Sequence, residues 1–315
     1  MWRQILREAR SAHAPLVAFA ALSVVFAALT AVATVVDPRT ITGAPAWNKP
    51  FKFFVSTAIY GATFAWYLAV VRESAPDDAR TRADRIGYLC GYGVLVALVI
   101  ELVLISMQAW RGVTSHFNRT TPFDGLVFDV MGGAIFTLTA LHAVLIVLLL
   151  RAKGRGRPLL AACRWGAIVA MIGLGVGGLM VAPSAEQITV LKRGAGGIQG
   201  GHTIGAPDGG AGLPVVNWST EAGDNRAPHF IGLHAMQVLP LVALLVPATW
   251  PTRQILAAVN ASGLAYAILT LAMIVQASQG RPVLRPGIVI ATLLAATLVG
   301  WAAAMVACGR RAAAM

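Results

Sequence analysis

The feature that most constrains this chain is a series of apolar segments, each about as long as a bilayer-spanning helix. Eight of them lie near residues 15–36, 53–71, 86–110, 125–150, 165–185, 228–250, 254–277 and 287–308. The chain is 57% hydrophobic and only 12% charged, a balance that is rare in soluble proteins of this length. We therefore predict an all-α, polytopic membrane helix bundle in which residues 1–315 form one transmembrane domain and the lipid bilayer is the main partner.

The positive residues indicate how the bundle is oriented. Lys and Arg are more frequent in the termini and in the short connections 72–85 and 151–164 than in the connections between them. The positive-inside rule then predicts that both termini are cytoplasmic. The alanine-rich composition is typical of a bacterial inner membrane protein, and the formal charge of +12 follows from topology rather than from a nucleic-acid partner. We expect the first segment to be retained, because it is longer than the apolar region of a signal peptide.

One connection, 183–227, is long and rich in glycine, and the orientation makes it periplasmic. A loop of this kind is either disordered or a lid over a site, and both alternatives stay open. Within it, "ITVLK" (188–192) and "LPVVNW" (213–218) are predicted to pair as a short hairpin.

Short matches between distant parts of the chain suggest an internal repeat. "NKPFKF" (48–53) begins the second segment, and "NRAPHF" (225–230) begins the sixth. "MQAWRG" (107–112) ends the third segment, and "VQASQGR" (275–281) ends the seventh. The matches keep the same order, so we predict a parallel four-plus-four repeat with a functional site where the halves meet.

Three polar residues inside the apolar segments are predicted to share one layer near the outer surface. Helical rise places Glu101 ~10 Å, Asp129 ~6 Å and His234 ~9 Å below the outer ends of their helices. Polar groups inside a membrane are expensive and usually line a cavity or meet a partner. Glu101 and Asp129 are therefore the candidate catalytic or proton-carrying residues.

Further candidates lie in the outer connections and at the starts of the helices that follow them. The candidate ligand-binding residues are Lys52, Arg111, Asn118, Arg226 and Gln237. The candidate metal ligands are His116, His229 and His234, a set that with carboxylates suits zinc, iron or manganese. His229 and His234 lie about 140° apart around one helix, so they need ligands from other helices to form a centre. A haem held by His234 and His116 is an alternative, whereas His142 lies at another depth and is expected to bond two helices.

These observations leave different functions open. One is a metal- or haem-dependent membrane enzyme or redox protein with a periplasm-facing His/carboxylate site. Another is a transporter or solute-binding protein that uses Glu101 and Asp129 as proton carriers, and a third is a structural or assembly protein. The sequence contains no nucleotide-binding loop, CxxCH, HExxH or nucleophile elbow that would select an enzyme class.

Two patterns carry a resemblance to a known family. "RGVTSHFN" (111–118) and "GDNRAPHFIGLHAMQ" (223–237) are similar to segments of an uncharacterised family of bacterial multi-pass inner-membrane proteins. The resemblance implies the topology and no activity.

Overall fold

The computed structural model describes residues 1–153, 157–193 and 196–314. Gly194 and Ala195 of the glycine-rich connection lie outside the described residues. The helices are α1 Trp2–Val36, α2 Asn48–Ser74, α3 Asp77–Arg111, α4 Pro122–Arg151, α5 Arg157–Met180, α6 Ala185–Lys192, α7 Arg226–Leu245, α8 Thr252–Ser278 and α9 Ile288–Ala313. The strands are β1 Thr40–Ile41, β2 Ala44–Pro45, β3 Thr203–Ile204 and β4 Gly223–Asp224. All these helices except α6 are long and apolar enough to span a membrane, which confirms the predicted all-α polytopic bundle.

Several helices extend beyond the apolar segments that predicted them. α1 begins at Trp2 and α3 at Asp77, because polar turns continue each helix past its apolar part. Within α1 the backbone leaves the helical conformation at His13 (φ −153°, ψ 79°). Pro15 follows two residues later and cannot donate a helical hydrogen bond, which accounts for the kink.

An even number of spanning helices brings both termini to one face of the bundle, here called the terminal face. The other face, here called the loop face, carries the connections 37–47, 112–121, 181–225 and 279–287. α2 is the most buried of the spanning helices. In its most apolar stretch 72% of the residues are buried, whereas 6% are buried in the corresponding stretch of α9. α2 therefore lies at the centre of the bundle, and α9 lies at its edge with most of its surface left for lipid.

Helix packing agrees with the predicted repeat. α1–α4 form the first half, and α5, α7, α8 and α9 form the second. In each half the first helix packs on the second and the third, the second packs on the third, and the third packs on the fourth. The most extensive pairing in each half is between its first and second helices, α1 with α2 and α5 with α7.

The third helix of each half also ends in the same way. Gly112 ends α3 with φ 73°, and Gly280 follows α8 with φ 70°. The amide of Val113 donates to Gln108 O at 3.0 Å, and that of Arg281 donates to Gln276 O at 3.2 Å. Both hydrogen bonds are the 6→1 bond of a Schellman motif, in which the glycine after the helix adopts the left-handed conformation. The sequence match between 107–112 and 275–281 thus corresponds to a shared backbone structure.

The described residues of the long connection, 181–193 and 196–225, form a roof over the loop face and not the predicted hairpin. Residues 188–192 are helical because Ser184 and Gln187 form a capping box, in which Gln187 N donates to Ser184 Oγ at 3.2 Å and Ser184 N donates to Gln187 Oε1 at 2.8 Å. The strands that do pair are β3 and β4, in antiparallel register.

The roof also joins the first half. Arg119 N donates to Gly197 O at 2.8 Å and Gln199 N donates to Phe117 O at 2.7 Å, so the connection after α3 runs antiparallel to residues 197–199. This pairing brings the residue before Phe117, His116, under the roof.

Candidate functional site

Polar side chains from both halves converge at the loop face. The loop-face cluster, as we define it, consists of Lys49, Lys52, Glu101, His116, His202 and His229. Lys49 and Lys52 lie in the first turns of α2, and His229 lies in the first turn of α7. The roof brings His202, and α3 with its following connection brings Glu101 and His116. The cluster therefore contains side chains from both halves.

His116 is bonded to Lys49. Its Nδ1 lies 3.0 Å from Lys49 Nζ and 3.1 Å from Ser115 Oγ. An ammonium group has no acceptor, so Lys49 donates to Nδ1 and the proton of the neutral ring lies on Nε2. Burial, followed by the electrostatic effects of Lys49 and of the neighbouring His202 and His229, lowers the pKa of His116 well below its ordinary value. His116 is thus a neutral ring that presents an N–H to the cluster.

His202 is held by a carboxylate of the roof. Its Nδ1 lies 2.9 Å from Asp208 Oδ2, and Asp208 also accepts the amides of His202 and Thr203, the latter at 2.8 Å. Burial alone raises the pKa of Asp208, but the hydrogen bonds from His202 and Thr203 outweigh it and lower the pKa overall. Burial also lowers the pKa of His202, although Asp208 opposes that shift.

His229 is fixed by the neighbouring helix of its own half. Its Nδ1 lies 2.7 Å from Gly173 O on α5. A carbonyl can only accept, so Nδ1 carries the proton and Nε2 of the neutral ring keeps a free lone pair. The Nδ1 contacts of His202 and His229 therefore leave both of their Nε2 atoms as acceptors.

Glu101 is the most unusual member of the cluster. Its side chain is 1% exposed, and among the described residues neither carboxylate oxygen has a hydrogen-bond partner. Lys49 acts on it electrostatically without bonding to it. A buried carboxylate without a partner is costly, and such groups in folded proteins nearly always have one. The carboxyl group of Glu101 is therefore in an energetically unfavourable environment.

The positive side chains in and beside the loop-face cluster differ in whether a carboxylate neutralises them. Arg226 binds Asp224 through several hydrogen bonds, one of them from Arg226 Nη2 to Asp224 Oδ2 at 2.6 Å. Lys52 Nζ donates to a neutral group, Val216 O, at 3.2 Å. In the part of the chain that the structure describes, no carboxylate lies within ion-pair distance of Lys49 or Lys52.

Two residues of the predicted polar layer lie elsewhere. The side chain of Asp129 is 58% exposed and forms an ion pair with Arg119 rather than facing Glu101. The Nδ1 of His234 lies 3.1 Å from Gln237 Oε1, and Gln237 Nε2 donates to Thr63 Oγ1 at 2.9 Å. Equal depth along the helices did not bring these side chains together, because they point to different neighbours around each helix axis.

The predicted ligand-binding residues Arg111 and Asn118 already bond to other side chains and backbone groups in and near the connection after α3. Arg111 Nη1 lies 2.5 Å from Asp124 Oδ1 and also bonds Gln108. Asn118 Nδ2 donates to Thr114 O at 3.1 Å, and its Oδ1 accepts the amide of Thr120 at 3.0 Å. Both residues therefore shape the connection that carries His116.

The predicted metal ligands do not form one set. Across residues 1–153, 157–193 and 196–314, no group of three or more His, Cys, Asp or Glu side chains is placed to hold a metal ion. His116 and His229 belong to the loop-face cluster, whereas His234 bonds Gln237. His142 bonds helices as expected, with Tyr60 Oη at 3.0 Å and Ala167 O at 2.9 Å.

Sequence reasoning did not select Lys49, His202 or Asp208 as site residues. The sequence does set His202 and Asp208 apart, because they are the only titratable residues in the glycine-rich stretch 194–212. Lys49 was visible in "NKPFKF", but its partner His116 lies 67 residues later and comes close only through the fold.

Comparison with known protein families, with curated proteins and with solved structures gives no match to this chain. Among the described residues, eight helices are long and apolar enough to span the bilayer, as expected of a multi-pass membrane protein.

Proposed function

We propose that this protein binds a small polar solute between its two halves at the loop face and exchanges a proton there through Glu101. The observation that carries the proposal is the burial of Glu101, both of whose oxygens lack a hydrogen-bond partner in the described part of the chain. Parallel repeats with a polar site between them are an architecture that membrane transporters use. Of the two predicted proton carriers we retain Glu101, because Asp129 is exposed and paired with Arg119.

Infrared spectroscopy of the full chain in lipid nanodiscs tests the proton exchange. A protonated carboxylic acid has a carbonyl band that a carboxylate lacks, so the band should change as the pH is varied. Glu101→Gln should remove this buried component, whereas Glu186→Gln, a change at an exposed glutamate of α6, should leave it in place. If the wild type and Glu101→Gln give the same spectra at every pH, the proposal is refuted.

We also propose that the loop face is periplasmic in a bacterial inner membrane, with both termini in the cytoplasm. The excess of Lys and Arg at the terminal face supports this orientation. A C-terminal alkaline phosphatase fusion should then be inactive and a C-terminal fluorescent-protein fusion should be bright. The reverse pattern would invert the proposed orientation.

A metal- or haem-dependent enzyme or redox protein is the second candidate. One observation favours it, namely that the Nδ1 atoms of His202 and His229 each donate to an oxygen, an arrangement typical of metal-ligating histidines. Metal analysis and an absorption spectrum of the gently purified protein test it. A stoichiometric metal or a haem band that His202→Gln removes would support this candidate over the first.

A further inference from the structure

The repeat allows the two halves to be compared at the start of their second helices. The match of "NKPFKF" with "NRAPHF" makes Lys49 equivalent to Arg226, and makes the preceding residue Trp47 equivalent to Asp224. In the second half, the Asp224 carboxylate accepts the backbone amide of Arg226 at 2.9 Å as well as its guanidinium. An anion thus occupies the start of α7, where the amides and the helix dipole favour negative charge.

The first half lacks this anion. Trp47 supplies no carboxylate, and no side chain among the described residues forms a capping hydrogen bond at the start of α2. The nearby Asp37 is bound to Arg39 and to the indole of Trp47 instead. Lys49 and Lys52, both half-buried, each have only neutral groups as hydrogen-bond partners among the described residues. Partly buried ammonium groups without a counter-ion are costly, so an anion from outside the chain would complete this half.

We propose that Lys49 and Lys52 bind a small carboxylate or phosphate anion at the start of α2, in the place that Asp224 fills in α7, and that Glu101 takes up a proton as the anion binds. The proton uptake rests on the proposed function, in which Glu101 exchanges a proton. The coupling follows from charge, because an anion on Lys49 offsets the positive field that this lysine exerts on Glu101. One anion and one proton enter together, and the charge of the cluster does not change.

Isothermal titration calorimetry on the full chain in phosphatidylcholine nanodiscs tests the anion site, with sodium acetate and sodium phosphate as separate probes. Lys49→Gln and Lys52→Gln should each weaken binding about tenfold or more, which corresponds to ~1.4 kcal/mol. Lys52→Arg, which keeps the charge, should retain binding and shows that loss of affinity is not misfolding. Lys192→Gln, a change at an exposed lysine of the same face, should have no effect. If neither probe binds, or if both glutamine variants bind as the wild type does, the anion site is refuted.

Repeating the acetate titration in two buffers of different ionisation enthalpy gives the number of protons taken up. The wild type should take up as much as one proton per acetate, and Glu101→Gln should bind acetate without uptake. Acetate binding without proton uptake in the wild type overturns the coupling but leaves the anion site. Conversely, a Glu101 infrared band that responds to pH without any anion binding preserves the proposed function and removes this inference.

A phosphate ligand has two sources, a lipid headgroup or a soluble anion, and the lipid composition of the nanodiscs distinguishes them. Nanodiscs that contain phosphatidylglycerol should lower acetate affinity if the site takes a lipid headgroup. If they do not, while free phosphate competes with acetate, the site takes a soluble anion.

Discussion

The two halves of the molecule have the same helix packing but carry different charges. At the start of α7, Arg226 is neutralised by Asp224 of its own half. At the start of α2, Lys49 and Lys52 have no such partner among the described residues, and the buried carboxylate of Glu101 on α3 has no hydrogen bond to them either. The position equivalent to Glu101 in the match of α3 with α8 is Leu269. A repeated scaffold can thus be completed internally in one half and left open to ligands in the other.

The largest predicted effect is a loss of stability when the carboxylate that neutralises Arg226 is removed. Asp224→Asn should lower the free energy of unfolding by about 3–5 kcal/mol, because it leaves Arg226 and the amide of Ser219 without a carboxylate. Lys52→Gln should change it by less than about 1 kcal/mol, because no ion pair is lost. Chemical unfolding in mixed micelles measures both. Similar losses for the two variants would show that the halves do not differ in this way.

A second difference lies in how closely the paired helices approach. A Cβ on Gly173 would lie 2.8 Å from Leu233 N and 2.9 Å from Gly232 C, so α5 and α7 meet backbone to backbone. A Cβ on Gly61, between α1 and α2, would meet its nearest neighbour in Phe19 at an ordinary 3.5 Å. Gly173→Ala should therefore destabilise the fold by about 1–3 kcal/mol through overpacking.

Gly61→Ala is the matched control. It should be neutral or stabilising, since alanine is favoured over glycine within a helix by about 1 kcal/mol. Thermal unfolding of the two variants in the same detergent compares them directly. The interpretation of the α5–α7 contact is wrong if Gly173→Ala is tolerated as well as Gly61→Ala.

The most gradual predicted effect concerns one histidine from each half. Burial lowers the pKa of His116 and of His202, so each ring binds a proton less readily in the folded state than in the unfolded state, where the pKa of histidine is about 6.5. The unfolded state therefore binds more protons below that pH. The stabilisation is fully present above about pH 6.5 and is lost as the pH falls, by up to about 1.4 kcal/mol per pH unit for each ring.

The groups that face these rings are Lys49, Arg226, His229 and Asp208, and Asp208 does not offset the loss because its own lowered pKa keeps it ionised over this range. Unfolding midpoints measured between pH 7.5 and 5 should fall with acidification. His116→Gln and His202→Gln should each flatten the profile, and Lys192→Gln should not. An unchanged slope in both histidine variants would contradict the assignment.

The sequence was sufficient for the parts of the fold that depend on local pattern. Segment length and apolarity predicted every spanning helix, and short matches such as "NKPFKF" with "NRAPHF" predicted a repeat that the packing supports. The roof was predicted less well. β propensity in "ITVLK" favoured a strand, but the Ser184–Gln187 capping box produced a helix.

Depth along a helix was a weaker guide to the site. It grouped Glu101 with Asp129 and His234, but it gives no information on rotation about the helix axis, which directs Asp129 to Arg119 and His234 to Gln237. His202 could not be placed at all, because its position depends on the fold of a loop whose pairing partners lie far away in the chain.

The bond between Lys52 and Val216 joins residues 164 positions apart, and this spacing has a consequence for biosynthesis. At typical rates of translation, on the order of ten seconds or more pass between the appearance of α2 and that of the segment that covers it. During this interval the charged end of α2 has no roof. The first four helices must therefore be tolerated in the membrane with their lysines open to water, and the cluster can close only after most of the chain has been made.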